Sequence, residues 1–421
     1  MKKAFAGYED KLNPDRRERV ENADSATVIS NECTGCGLCS KECRFLEIHG
    51  GPGAIAAGYD PTDPLRQDIA FECSLCGLCT SVCPSGLDPE GMFLEMRRQA
   101  VRLGRADYPE HAAILAYEKR GTSPRYTWYG LPNHCDTVLF PGCSLPGTRP
   151  QTVKLLFARL REVIPTLGVV LDCCMKPSHD LGREKQFQAM FGEMKTYLVE
   201  NGIRTVLLAC PNCYKIFKTY GTEFAVKTVY EVLAENSVSE VSHFSHTVTV
   251  HDPCAVRFDG AVQKAVRDLA RKSGLTVEEM PHHGRKTLCC GEGGSVGFLS
   301  PELAGRWSSV RIEEAAGRGV VAYCAGCAGH LGKVVPVHHV LDLFFEPEAT
   351  LAGKARISTA PVTYWNRIRL KKWFKQGLEV RATRERTFRC EGQTGPKRLI
   401  SRLTALAAVC SLPVPFRSRR R

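Results

Sequence analysis

From about residue 135 to residue 345, short apolar runs ending in cysteine alternate with stretches of helical spacing. DTVLFPG leads into Cys143, LGVVLD into Cys173-Cys174 and RTVLLA into Cys210-Pro-Asn-Cys213, with helices expected from Gln151 and Arg183. The order then returns. HTVTVHDP leads into Cys254, LTVEEM precedes Cys289-Cys290 and GVVAY leads into Cys324-Ala-Gly-Cys327, with helices expected from Ala261 and Pro301. Corresponding cysteines lie 111, 116 and 114 residues apart, so this half is a duplicated unit. Apolar strands alternating with helices predict parallel sheets covered on both faces, with ligands beyond the carboxyl ends of the strands. The cysteines fall mainly there.

The first half has another rhythm. Residues 1 to about 30 are polar and helix-leaning, and eight cysteines follow between Asn31 and Pro84. Helical stretches are expected over Pro89–Leu103 and Tyr108–Arg120, and the Gly/Pro/Asn-rich GTSPRYTWYGLPNH reads as a linker. The chain is thus read as α/β: a helical domain that carries eight cysteines, read below as a two-cluster ferredoxin from the spacing of those cysteines, followed by a duplicated α/β cysteine-rich domain. The expected boundaries are an extension over 1–30, the eight-cysteine domain over 31–125, cysteine-rich units over 135–245 and 246–350, and a basic tail over 351–421. A length of 421 residues gives material for two to three cores.

Composition changes this picture in two ways. Of 21 cysteines, an odd number in C-x-x-C spacing with no cleavable secretory segment ahead of them argues for metal ligation in a reducing cytosol rather than a disulfide framework. The net charge of +12 is local. From Arg367 onward there are 16 Lys and Arg against 3 Asp and Glu, which leaves the body near neutral and gives no reason to expect a nucleic-acid groove. The longest apolar stretch, Leu399 to Phe416, is interrupted by Arg402, Pro413 and Pro415, so any membrane contact is expected to be peripheral.

Two C-x-x-C-x-x-C-x-x-x-C runs carry the chemistry of the first half. In such a run three thiolates surround one cubane cluster and the fourth serves the other cluster of a pair. Two 4Fe-4S sets follow: Cys33, Cys36, Cys39 with Cys83, and Cys73, Cys76, Cys79 with Cys43. Four thiolates also suit zinc, although zinc sites use paired knuckles instead of a triple run with a crossed fourth ligand. Each repeat of the second half offers five cysteines, Cys143, Cys173, Cys174, Cys210 and Cys213, then Cys254, Cys289, Cys290, Cys324 and Cys327. Five exceed what one cubane cluster uses, so either one thiolate stays free for chemistry or the cluster is not a cubane.

These motifs resemble the cysteine-rich CCG domain joined to a two-cluster ferredoxin, the arrangement of the heterodisulfide reductase catalytic-subunit family. Relatives include iron-sulfur subunits of anaerobic glycerol-3-phosphate dehydrogenase and glycolate oxidase. The resemblance implies that each five-cysteine set ligates a noncubane 4Fe-4S cluster, and that a disulfide is cleaved between the two. Cys174 and Cys290 then become the residues expected to decide turnover. It implies an oxidoreductase with two cubane and one or two further clusters, without a flavin or nicotinamide site in this chain. The expected partners are a flavoprotein or other electron-donor subunit and, through the basic tail, a quinone or the inner-membrane surface. The expected location is cytoplasmic, free or peripheral on the membrane. Competing readings are an electron-transfer subunit of a flavin-dependent dehydrogenase and a non-catalytic iron-sulfur sensor or assembly protein. One departure stands out: Gly291 completes Cys-Cys-Gly in the second repeat, whereas the first has Met175, which would alter the shape or cluster type of that site.

Other residues are read more plainly. His251 is expected to orient the loop at Cys254. His179, His282 and His283 are expected as solvated loop histidines, with proton donation to a thiolate as the sharper alternative. His338 and His339 are expected to begin a helix, HHVLDLFF. Cys135, Cys390 and Cys410 fall outside every motif. GEGGSVG follows cysteines and not a strand, which argues against a dinucleotide loop. Wound as a helix, residues 364–378 are expected to place Leu370, Trp373, Phe374 and Leu378 on one side and Lys371, Lys372 and Lys375 opposite, which suits an anionic membrane or a docked helix.

Overall fold

A computed structural model describes residues 25–236 and 246–387. Most of the N-terminal extension and the tail beyond residue 387, with Cys390 and Cys410, lie outside the described residues. The described chain divides into two compact units. One comprises residues 25–109, 177–185 and 246–340, and the other residues 110–176, 186–236 and 341–387.

The second of these holds the first repeat. Its strands are β1 (Trp128–Leu131), β2 (Thr137–Phe140), β3 (Gly168–Leu171), β4 (Thr205–Leu208) and β5 (Ala225–Thr228). Together with the strand Ala382–Arg384 they form a sheet in the order Ala382–Arg384, β1, β3, β2, β4, β5. β2 to β5 are parallel, as their apolar runs require, and β2 pairs with β4 from Thr137–Thr205 to Phe140–Leu208. β1 runs antiparallel to its neighbours. The expected linker therefore contains a strand whose four residues are all buried. The Trp128 ring lies where a Cβ on Gly130 would come within 2.2 Å, so the glycine taken as a linker signal is packing space for a tryptophan.

The expected tail is also corrected over its described part. The helix Val362–Gly377 buries Asn366, Arg367, Leu370, Lys371 and Phe374, a stripe of helical period. Lys371, expected opposite the apolar side, is buried with it, donates to the Pro124 carbonyl at 2.5 Å and pairs with Glu385 at 2.8 Å. Trp373, expected on the same side as Leu370 and Phe374, is 38% exposed while those two are buried. Beyond the helix, Arg386 is fully buried and pairs with Asp172 at 2.7 Å and Glu193 at 3.0 Å. One carboxylate and one carbonyl outweighed hydropathy in placing Lys371 on the buried face.

The other unit joins the ferredoxin helices to the second repeat. Its sheet, β6 (Thr247–His251), β7 (Thr276–Val277), β8 (Gly319–Ala322) and β9 (Val337–His339), is wholly parallel in the order β7-β6-β8-β9. LTVEEM pairs over two residues only, and His338 and His339 end a strand instead of beginning a helix, which starts at Val340. The helix Gly260–Lys272 buries Val262, Ala265, Val266, Leu269 and Ala270 against the sheet, a 3.6-residue stripe. On the ferredoxin side, Asp88 caps Pro89–Arg102 by accepting from the Gly91 N–H at 3.2 Å.

Arg97 of that helix holds the unit together. Fully buried, it donates to the carbonyls of Ala70, Phe71, Cys73, Asp180 and Gly294 at 2.6–3.1 Å. Five carbonyls from three chain segments meet one planar fork, a geometry that only arginine supplies.

Candidate metal centres

Each ferredoxin run turns on residues with positive φ. Gly35 and Gly37 do this in the first run, and Leu75 with Gly77 in the second. The left-handed residue before each short helix, Leu38–Glu42 and Leu78–Val82, folds the run back so that its thiols converge. Cys33, Cys36, Cys39 and Cys83 line a cavity of about 360 Å³, with Cys36 exposed. Cys43, Cys73, Cys76 and Cys79, all buried, line a second cavity with Phe93, Ser74 and Trp307. The crossed fourth cysteine expected from the spacing thus stands beside the opposite run in both cases. Burial pushes Cys43 up to about 12 and raises Cys73, Cys76 and Cys79 as well, so ligation there must displace protons.

The five cysteines of each repeat form one contiguous series. In the first repeat side-chain contacts run Cys143–Cys173–Cys174–Cys213–Cys210, and in the second Cys254–Cys289–Cys290–Cys327–Cys324. Cys290 and Cys327 are 3.2 Å apart at sulfur. The middle thiol of each series is held below the ordinary range by hydrogen bonds from its neighbours: Cys174 by Cys173 and Cys213, Cys290 by Cys289 and Cys327. Strand ends deliver the cysteines as expected, except that Cys289-Cys290 follows β7 across a long loop.

The glycines after Cys289-Cys290 have a packing reason. A Cβ on Gly293 would come within 2.6 Å of the Ser74 carbonyl oxygen, and one on Gly294 (φ +60°) within 2.5 Å of that of Cys73. GEGG is therefore the place where the second repeat lies against the buried ferredoxin run. In line with this, Leu288, Cys289 and Trp307 share one buried apolar cluster with Cys43, Cys73, Cys76 and Cys79, and Cys254 packs against it.

Some of the buried polar atoms without a hydrogen-bond partner belong to residues near these sulfur sites. They include Ser74 Oγ and Trp307 Nε1 at the buried ferredoxin cavity, Arg257 Nη2 beside Cys76, His251 Nε2 and Arg367 Nη1. Such orphans are costly in a dry interior. Donors aimed at clustered soft thiols fit an anionic, sulfur-rich group. The residues present therefore fit iron-sulfur clusters.

His251 is fully buried, accepts from Arg311 at 3.2 Å, and has a ring nitrogen within 4.8 Å of the sulfurs of Cys290 and Cys327. Burial, then the charge of Arg311, lowers its pKa to about 3. The loop histidines are not free: His282 pairs with Glu314 and, at 3.0 Å, with Glu42, and His283 contacts the Met280 carbonyl at 2.7 Å. His179 pairs with Asp180 at 2.8 Å. Cys135 donates to the Thr137 carbonyl at 3.3 Å.

Three participants escaped sequence reasoning. Glu292, inside the glycine motif, has its carboxylate within 4.8 Å of Cys324 and Cys327. Tyr117 bonds to Cys143, and Arg367 lies over Tyr126 and Tyr117 at 4.9 and 5.9 Å. Only Glu292, a charge between glycines next to Cys-Cys, left a signal in the chain.

Convergent four-thiol cavities and five-thiol series at strand ends define an iron-sulfur electron-transfer protein. Known proteins agree: residues 29–87 match the 4Fe-4S dicluster domain, and residues 137–218 and 248–332 match the cysteine-rich CCG domain. A fumarate reductase (CoM/CoB) subunit of Methanothermobacter marburgensis is 25% identical over 82% of this chain and 68% of its own length. A dihydromethanophenazine:CoB–CoM heterodisulfide reductase subunit of Methanosarcina barkeri is 23% identical over 67% of this chain and 83% of its own length. The probable iron-sulfur-binding oxidoreductase FadF of Bacillus subtilis is 23% identical over 71% of this chain, a match that spans 43% of the relative. The chain belongs to the heterodisulfide reductase-like family of iron-sulfur oxidoreductases, in which a dicluster ferredoxin domain precedes two CCG domains.

Proposed function

We propose that electrons enter at the exposed ferredoxin site, pass to the buried one and reach the second repeat, and that the repeats serve reduction of a disulfide. In this reading Cys33, Cys36, Cys39 and Cys83 hold one cubane 4Fe-4S cluster and Cys73, Cys76, Cys79 and Cys43 the other. The five cysteines of each repeat hold a further 4Fe-4S cluster. Bound clusters would supply the one-electron steps that add up to the two electrons a disulfide needs. The protein supplies the rest. Cys290 and Cys174 stand at the centre of their series, where loss of one thiol interrupts all five. Glu292 can hold or release one of the two protons that convert the cleaved disulfide to two thiols.

The observation that carries the reading is the shared core of the buried ferredoxin site and the second repeat, in which Cys73, Cys76, Cys79 and Cys289 belong to one buried apolar cluster. Anaerobic purification should give about 16 Fe per chain, the sum of four four-iron sites. Chemically reduced protein should consume a disulfide. A folded, zinc-rich and nearly iron-free product would sink the reading.

A second reading, an electron-transfer subunit that takes electrons from a flavoprotein and passes them to quinone, draws support from the relatives named as subunits and from the exposed Cys36. The helix Val362–Gly377 turns Trp365, Arg369, Lys372 and Trp373 outward, a set suited to an anionic lipid surface. Under this reading the protein binds anionic vesicles at low salt and does not consume a disulfide.

A further inference from the structure

The helix Pro301–Ala315 belongs to the second repeat, yet one of its side chains lines the ferredoxin cavity. Trp307 is 1% exposed and borders the space framed by Cys43, Cys73, Cys76 and Cys79. Its indole Nε1, which can only donate, has no acceptor among the described residues. Ser74 lines the same cavity, and its Oγ also lacks a partner. A buried tryptophan ordinarily finds a partner for its N–H. Here the cavity that the tryptophan lines is the one framed by the four cysteines, and a group held there would supply the acceptor.

The same helix grips the five-cysteine site through its next residues. Ser308 Oγ donates to the Cys290 carbonyl at 2.9 Å, and Arg311 Nε donates to His251 at 3.2 Å. Residues 307, 308 and 311 thus address two sulfur sites from one rigid element.

We propose that Trp307 is a positioning residue through which the second repeat sets the reduction potential of the buried ferredoxin site. Its N–H, seconded by the Ser74 hydroxyl, is directed at the sulfur of the group bound there. A hydrogen bond to sulfur favours the reduced, more negative form and so raises the potential. That draws electrons inward from the exposed site, where Cys36 meets water. This inference rests on the cluster assignment of the proposed function, but not on the disulfide as acceptor.

The test is a redox titration of the full-length, anaerobically loaded protein followed by electron paramagnetic resonance. Trp307→Phe keeps the ring and removes the N–H. It should move one cubane signal to a more negative potential and leave the other signals in place, with iron content and thermal midpoint unchanged. Ser74→Ala should move the same signal the same way by less. Unmoved potentials at full iron content would overturn the inference, as would a common drift of every signal. A selective shift in a protein that leaves disulfides untouched would uphold the inference and overturn only the disulfide reading.

Discussion

The two repeats carry the same five-thiol series but face different neighbours. In the second, Cys254 and Cys289 pack against the buried ferredoxin run, Gly293 and Gly294 give the backbone room to approach it, and Gly291 lies against the Ala304 carbonyl. In the first, Cys143 meets the Tyr117 hydroxyl, with the Arg367 guanidinium close by, and the position of Gly291 is taken by Met175, which keeps a positive φ of 63°. Duplication thus preserved the sulfur chemistry and the backbone bend that presents it. What diverged is the side facing the first cysteine, which meets the buried ferredoxin run in one repeat and a tyrosine and an arginine in the other. The lesson is that equal sets of cysteines need not have equal surroundings: under the proposed function the second repeat would receive electrons, and the first would hold or spend them.

Removing the middle thiol of each series tests that division most severely. Cys290→Ala should abolish disulfide turnover, by at least about 100-fold, since a lost ligand costs that order or more. Both ferredoxin sites should still be reduced, as a stepwise titration would reveal. Cys174→Ala should also stop turnover while the second repeat continues to accept electrons. Full activity in Cys174→Ala would break the comparison and leave catalysis to the second repeat alone.

Buried arginines give the next largest effect, now on stability. Arg386→Met leaves Asp172 buried without its cation, a change of about 3–5 kcal/mol. Arg97→Met leaves five carbonyls without their donor, and at about 1–3 kcal/mol for each fully desolvated group the loss is at least as large. Chemical denaturation with separate probes should show the first destabilising the unit of the first repeat and the second that of the ferredoxin. A shared loss for either would mean that the two units unfold as one.

Exchanging the divergent residues sharpens the comparison further. Gly291→Met would set a Cβ within 2.4 Å of the Ala304 carbonyl oxygen, at a backbone φ of +100°. About 2–4 kcal/mol of destabilisation is expected for such strain and overlap. Met175→Gly relieves a left-handed methionine, worth about 1 kcal/mol, but gives up a side chain that is 1% exposed, worth about 2–3 kcal/mol. Its net loss should be smaller, about 1–2 kcal/mol. Equal losses from the two exchanges, read by thermal unfolding, would show that the glycine has no steric role.

How much of this was legible beforehand depends on what each residue answers to. The strands and the cysteines at their ends respond to local pattern, so TVLL before Cys210 and TVTVH before Cys254 declared themselves. The triple-cysteine runs did the same, because their spacing is their geometry. Trp128, hidden in a supposed linker, and Lys371, hidden under a supposed amphipathic helix, respond to partners far away along the chain. No window of sequence contains those partners. Trp307 and Tyr117 are the extreme case, ordinary helix residues whose importance arises only from the cavity or sulfur that folding sets before them.

The smallest expected effect concerns acid, and it separates the units through Asp252. This carboxylate is fully buried two residues before Cys254. Burial alone would raise its pKa. Arg267, which holds both oxygens at 2.9 and 2.8 Å, the Gly284 N–H at 2.7 Å and the Tyr323 hydroxyl at 2.8 Å outweigh that and keep it below the usual carboxylate range. A group with a depressed folded pKa contributes stability that is present above its unfolded value, near about 3.9, and is lost as pH falls through the folded one. The ferredoxin-bearing unit should therefore hold its denaturation midpoint from pH 7 to about 5 with respect to this group, and lose stability below about 4. Asp252→Asn should lower the midpoint at neutral pH, because Arg267 loses a charge partner, and should flatten the acid limb. An acid limb of unchanged steepness in that variant would show that another carboxylate carries the acid sensitivity of this unit.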